Sequence, residues 1–198
     1  MGKTILGLLL GVSLCFGSIQ EVIAASQVRI TGAFGLNLYD KLDPNIVEID
    51  EEGFSKYFKS NLILGGFSHK HIWEKIKPSI SNKMFQSYHV RFTSRSKTIF
   101  GITAVGFYLD RDECRWNKVQ LRDILNKKYG KMREHGEASY IYVGEKGQVK
   151  VICQTPFRPL RNYDKETYFL VIDYSLNDRR TLGVITNDKL EDPDLSGL

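Results

Sequence analysis

The stretch Asp110–Gly130, DRDECRWNKVQLRDILNKKYG, decides the fold. Asp110 or Asp112 can accept the orphan N–H groups of a first helical turn, and Glu113 follows Asp110 at the spacing of a capping box. Cys114, Leu121, Ile124, Leu125 and Tyr129 then recur at the helical period, which predicts one buried arc. Gly130 stands where a left-handed residue commonly ends a helix. Trp116 and Val119 fall off that arc, with Arg115 beside them. Two expectations follow for this flank: it packs under the N-terminal segment, or it forms an exposed aromatic patch for a partner.

Working outward, Phe85–Thr93 alternates, with Tyr88, Val90 and Phe92 on one face and His89 and Arg91 on the other. This predicts a half-buried strand. A polar turn at Ser94–Lys97 leads into Thr98–Tyr108, β-branched and aromatic, so the pair reads as an antiparallel hairpin. After the helix, Ser139–Val143, Val149–Gln154 and Thr167–Tyr174 read as three more strands. The order strand-strand-helix-strand-strand-strand predicts an α+β domain, an antiparallel sheet with one main helix packed on one face.

Other segments are less patterned. Ser26–Leu38 reads as a short extended stretch and a turn, interrupted by Gly32 and Gly35. Asp43-Pro44 reads as a turn or a helix start with proline in first position. Phe54, Tyr57 and Phe58 suit a short aromatic element, and Leu62–Leu64 is a brief apolar run. Ile72–Ile80 fits neither period, and Pro78 limits any helix there. From Ser175 the chain turns polar. The expected organisation is a signal peptide over 1–25, a single domain over 26–187 and a flexible tail over 188–198.

The signal peptide is read from Lys3, the apolar Ile5–Phe16 and small-residue cleavage contexts near Ala24 and Ala25. The apolar run is too short for a membrane span of roughly 20 residues, and no later stretch is long and apolar enough to span. Leu14 before Cys15 lacks the small residue of a lipoprotein signal. The expected location is therefore periplasmic or secreted. Cleavage would remove one basic and one acidic residue, Lys3 and Glu21, so the net charge stays at +5. That charge favours anionic neighbours, or simply a solvated basic surface. Cleavage also removes Cys15 and leaves Cys114 and Cys153, an even pair expected to form a disulfide. Closing a loop of roughly 40 residues would stabilise by about 3–4 kcal/mol.

Signatures of chemistry are sparse. There is no GxSxG, HExxH, P-loop or dinucleotide fingerprint, and nothing calls for a cofactor. His69 and His71 are weak metal candidates, with Glu74, His89 or His135 as a third ligand, against a reading as solvated loop histidines. The carboxylate pairs Asp110/Asp112 and Glu51/Glu52 suit a helix start and a loop. Arg115, Lys118, Arg122 and Asn126 lie together on the helix, and Lys127, Lys128, Lys131 and Arg133 follow. A basic, aromatic sheet can bind single-stranded nucleic acid, but core-facing aromatics and export argue against it.

The export signal, Gly32–Leu36 (GAFGL), the cysteine-started helix ending Lys128-Tyr129-Gly130, Cys153 and Phe169–Tyr174 (FLVIDY) carry a resemblance. With the ending Asp194–Leu198, the chain resembles small uncharacterised secreted proteins of Gram-negative bacteria. Such sequences often have glycine where Tyr39 stands. More remotely, the element order is similar to modules of the beta-lactamase inhibitor protein and the outer-membrane assembly lipoproteins. That resemblance implies binding rather than catalysis.

The expected function is therefore an exported, non-enzymatic binding or accessory protein of the bacterial envelope. Its partner would be another envelope or secreted protein, engaged through Arg115, Trp116 and Val119 or the sheet face. One alternative is a basic adhesin-like module for anionic glycan or lipid head groups, around Arg158, Arg161 and the helix lysines. The other is an envelope hydrolase or metal-dependent enzyme.

Overall fold

The computed structural model describes residues 29–49, 72–136, 139–155 and 167–190. The helix expected over 110–130 is α1, Arg111–Tyr129. Asp110 caps it by accepting from the backbone N–H of Asp112 and Glu113 at 2.6 and 2.9 Å, which satisfies two orphan donors of the first turn. Gly130 ends it with φ +100°, a conformation that glycine adopts without steric cost.

Seven antiparallel strands form the main sheet: β3 (Ile72–Lys75), β4 (Ser87–Phe92), β5 (Ile99–Tyr108), β6 (Arg133–His135), β7 (Ser139–Val143), β8 (Gly147–Gln154) and β9 (Tyr168–Leu176). Their spatial order is β3-β4-β5-β9-β8-β7-β6, so β9 returns to the centre between the two hairpins. The small hairpin β1 (Gly32–Ala33) and β2 (Leu36–Asn37) precedes the sheet. Its turn places Phe34 and Gly35 at φ +57° and +81°. Asp43 and Pro44 open a 3-10 turn, Pro44–Ile46, with Asp43 accepting from the Asn45 amide. Tyr39 has φ +76°, a left-handed conformation that costs a non-glycine residue about 1 kcal/mol.

The α+β architecture is as expected, and three elements extend it. The edge strands β3 and β6 flank the five expected strands. A second helix, α2 (Asp178–Leu190), follows β9. The expected tail therefore does not begin at 188. Asp188 is buried within α2, and its carboxylate accepts from the Ser96 and Arg95 backbone N–H groups at 2.7 and 3.3 Å. These bonds clamp α2 to the β4–β5 turn. The expected elements at Phe54–Phe58 and Leu62–Leu64 lie outside the described residues. So do the expected signal peptide and residues 191–198. None of the described helices is long and apolar enough to cross a membrane.

Strand register defines the two faces of the sheet, because paired residues share a side. Val90, Ile102, Tyr174 and Val149 form one row, and Tyr88, Ala104, Ile172 and Val151 the next. Leu121, Leu125 and Tyr129 of α1 pack on these rows in one core. Cys114 in the first turn of α1 is bonded to Cys153 of β8, with Cα atoms 6.0 Å apart, as the pairing expectation required. The helical arc needs one correction: Ile124 is exposed, while Asn117 and Lys118 are buried in its place. Phe34 plugs the end of the core with edge-on contacts to Phe85, Tyr88 and Tyr174.

Candidate functional site

Three regions carry chemistry. The first lies on the sheet face opposite α1. Register places His89, Thr103, Asp173 and Lys150 in one row, and Arg91, Gly101, Ser175 and Gln148 in the next. Every residue of β4 is buried, so the expected half-buried strand is corrected to one covered on both faces. One Arg91 nitrogen, Nη2, donates to both Asp173 oxygens at 2.7 and 2.8 Å, and Thr103 Oγ1 donates to Oδ1 at 2.7 Å. The guanidinium sits 5.2 Å from the Trp73 ring centre and 5.9 Å from that of Phe100. A Cβ at Gly101 would overlap it, which accounts for glycine in the middle of a central strand.

Beside this pair, Ser87 Oγ and His89 Nε2 lie 2.7 Å apart in a hydrogen bond, with His89 fully buried. Serine and histidine in contact are the first two parts of an acyl-transfer constellation. Here the nearby carboxylate, Asp173, is already held by Arg91 and Thr103. Buried polar groups must find partners, and Ser87, Thr103, Arg91 and Asp173 do so on this face. Arg91 Nε is the exception: it is buried without a hydrogen-bond partner among the described residues.

The second region is the outer surface of α1. Trp116 is 61% exposed, and Leu109 and Ile124 are exposed with it. Arg115 is exposed and Val119 half-buried. Of the two readings of this flank, exposure matches the aromatic patch. Helical spacing separates the trio: Arg115 faces the side of Lys118 and Arg122, Trp116 points outward, and Val119 lies between.

The third region is a recess of about 690 Å³ between the second half of α1 and the β6–β7 hairpin. Arg122, Asn126, Lys131, Arg133, Glu134 and Tyr140 line it. Lys118 and Arg122 both lie over the Tyr140 ring, at 4.9 and 5.1 Å from its centre. Arg122 also donates to the Tyr140 hydroxyl at 3.2 Å and to the Asp123 carboxylate at 2.9 Å. Lys118 is only 8% exposed. Burial pushes its ammonium below the ordinary lysine range, Arg115 and Arg122 push the same way, and Glu134 opposes them. The helical half of this cluster was legible from spacing. Arg133 falls among the basic residues that follow the helix and Tyr140 on an expected strand, but β6 and its position beside α1 were not legible, because nothing in Arg133–His135 alternates.

The remaining candidates are dispersed. Asp110 is the cap of α1. Register sets Glu74 opposite Val90, on the other face from His89, and His135 lies on the far edge strand. Among the described residues, no group of three or more His, Cys, Asp or Glu could hold a metal ion. His69, His71, Glu51, Glu52, Arg158 and Arg161 lie outside the described residues. No family model, curated protein or solved structure matches the chain.

Proposed function

We propose that this chain is a non-catalytic binding domain that acts outside the cytoplasm and docks a protein partner on the outer face of α1. The exposed Trp116 carries this reading. An indole left in water on a regular helix forgoes the stabilisation of burial, roughly 25 cal/mol per Å² of apolar surface. Tryptophan is also the residue type most often found at the energetic centre of protein interfaces. Leu109 and Ile124 are also exposed, and Arg115 one residue before Trp116 suits a partner with an acidic rim. The Cys114–Cys153 bond fixes the start of the helix to the sheet, so the face is preorganised and loses less entropy on docking. The same bond supports an oxidising compartment, in keeping with a periplasmic or secreted protein.

The experiment is capture with the disulfide-intact protein, followed by affinity measurement against the stoichiometric protein recovered. Trp116→Ala should weaken binding by about 30-fold, the effect of a hot-spot side chain, and leave the melting temperature within a degree or two. A partner held equally well by the variant would exclude the α1 face. A large fall in melting temperature would make Trp116 structural.

A further inference from the structure

We propose that the recess between α1 and the β6–β7 hairpin is an oxyanion site that takes a phosphoryl group, as inorganic phosphate or a small phosphate monoester. This site is separate from the Trp116 face and does not depend on the docking reading.

Arg115, Lys118 and Arg122 follow one another at helical spacing, so three cations share one flank of α1. Like charges at this spacing destabilise a helix by a few tenths of a kcal/mol per pair. Lys131 and Arg133 bring two more from the connection and the edge strand. Among the described residues Asp123 and Glu134 answer them, and Asp123 is already bonded to Arg122. Lys131 and Arg133 make no ion pair among the described residues.

Lys118 is the second observation. The residue as a whole is 8% exposed. Its side chain borders the recess through Tyr140 rather than lining it, and it makes no ion pair among the described residues. It lies over the face of Tyr140, and Glu134 acts on it from beyond ion-pair distance. Buried lysines are ordinarily paired, and a cation–π contact replaces only part of what water or an anion would supply.

Donor and acceptor balance then selects the ligand. The Asn126 side-chain oxygen accepts from the Met132 backbone N–H at 2.7 Å, which leaves its NH₂ as a donor. Arginine and lysine offer donors alone. Among its described residues the lining thus has many donors and one carboxylate, Glu134. Donors arrive from the helix on one side and the hairpin on the other. A phosphoryl group, with three or more acceptor oxygens and up to two charges, can use both sides at once. A carboxylate presents two oxygens in one plane. The recess is large enough for a phosphate with a sugar-sized substituent.

The test titrates the disulfide-bonded protein with inorganic phosphate and with glucose 1-phosphate, by calorimetry and backbone amide shifts. Ionic strength is held at about 0.1 M with chloride, where exposed charges are screened beyond about 10 Å. Both probes should bind and shift amides of Arg122–Tyr140. Tighter binding of the ester than of the free ion would assign the site to phosphate esters. Equal binding would assign it to the ion. Lys131→Gln with Arg133→Gln, both exposed, should weaken either probe by about tenfold per cation. Lys118→Met, which keeps the packed stem and removes a charge outside the lining, should weaken either probe by a smaller factor. Trp116→Ala should change nothing here, which separates this site from the docking face. No saturable binding of either probe above the chloride control would overturn the proposal. Equal affinity in the double variant would do so as well.

Discussion

Both faces of β4, β5 and β9 are buried over their middle residues, and there the two differ in chemistry. On the α1 side, Val90, Ile102, Ile172, Val149 and Val151 form apolar rows. One residue further along each strand, the opposite side carries His89, Thr103, Asp173, Arg91 and Ser175, all buried as well. The apolar face is held by non-directional burial and tolerates many side chains of the right volume. The polar face is held by a few bonds of fixed geometry, and each member depends on its partner. Burial alone therefore does not identify what stabilises a strand.

The comparison is broken most severely at Asp173. Its loss leaves the Arg91 guanidinium buried without its carboxylate, beside an Nε that already lacks a partner. Asp173→Ala should cost about 3–5 kcal/mol in urea denaturation. Ile172→Ala, its neighbour on the other face, should cost about 2–5 kcal/mol by loss of burial and a cavity. The faces differ in how they can be repaired. Arg91→Met with Asp173→Leu should recover most of the loss at the polar face, since apolar residues can replace a buried ion pair. A cost below about 1 kcal/mol for Asp173→Ala would mean that water screens the pair, and the two faces would not be alike in burial.

The second effect concerns the apolar face, which α1 covers. Cys114→Ala with Cys153→Ala should lower stability by about 3 kcal/mol, read from denaturation midpoints. Hydrogen exchange sharpens the contrast. Amides of α1 should lose protection before those of β4 and β5, whose polar face contains no part of the cystine. Uniform loss across helix and sheet would show one cooperative unit instead.

The contrast between faces also explains what could be read in the chain beforehand. The five inner strands, α1 and the cystine were legible because they rest on local period and on the two cysteines that follow the expected signal peptide. The alternation of His89 and Arg91 with Val90 was legible too, but its meaning was not. Whether a polar residue faces water depends on partners set by register, and Asp173 lies 82 residues from Arg91. β3 escaped because its four residues carry no alternation before Pro78, and β6 because all three of its residues are exposed. α2 escaped because its sequence is mostly polar, and it is anchored by one carboxylate on a distant turn. Half of the basic recess was visible along α1. Its other half required the hairpin to fold back beside the helix.

Asp188 offers the smallest and finest test, because it is a second buried aspartate with a different kind of partner. Asp173 is held by a cation, whereas Asp188 is held by neutral donors on the β4–β5 turn. Burial raises the proton affinity of Asp188, but hydrogen bonds from the Ser96 amide and hydroxyl and the Arg95 amide outweigh it. Its pKa is thus lowered on folding, and the sign of the linkage follows. The folded carboxylate binds a proton less readily than the unfolded one, whose pKa is about 3.9. The associated stability is fully present above that value and is lost as pH falls through the lower folded pKa. Asp188→Asn should cost about 1 kcal/mol at pH 7, the scale of one hydrogen bond. The cost should shrink as pH drops below about 4, because the wild-type carboxylate then gains its proton. A cost independent of pH between 7 and 3 would show that shape rather than charge holds α2 to the turn.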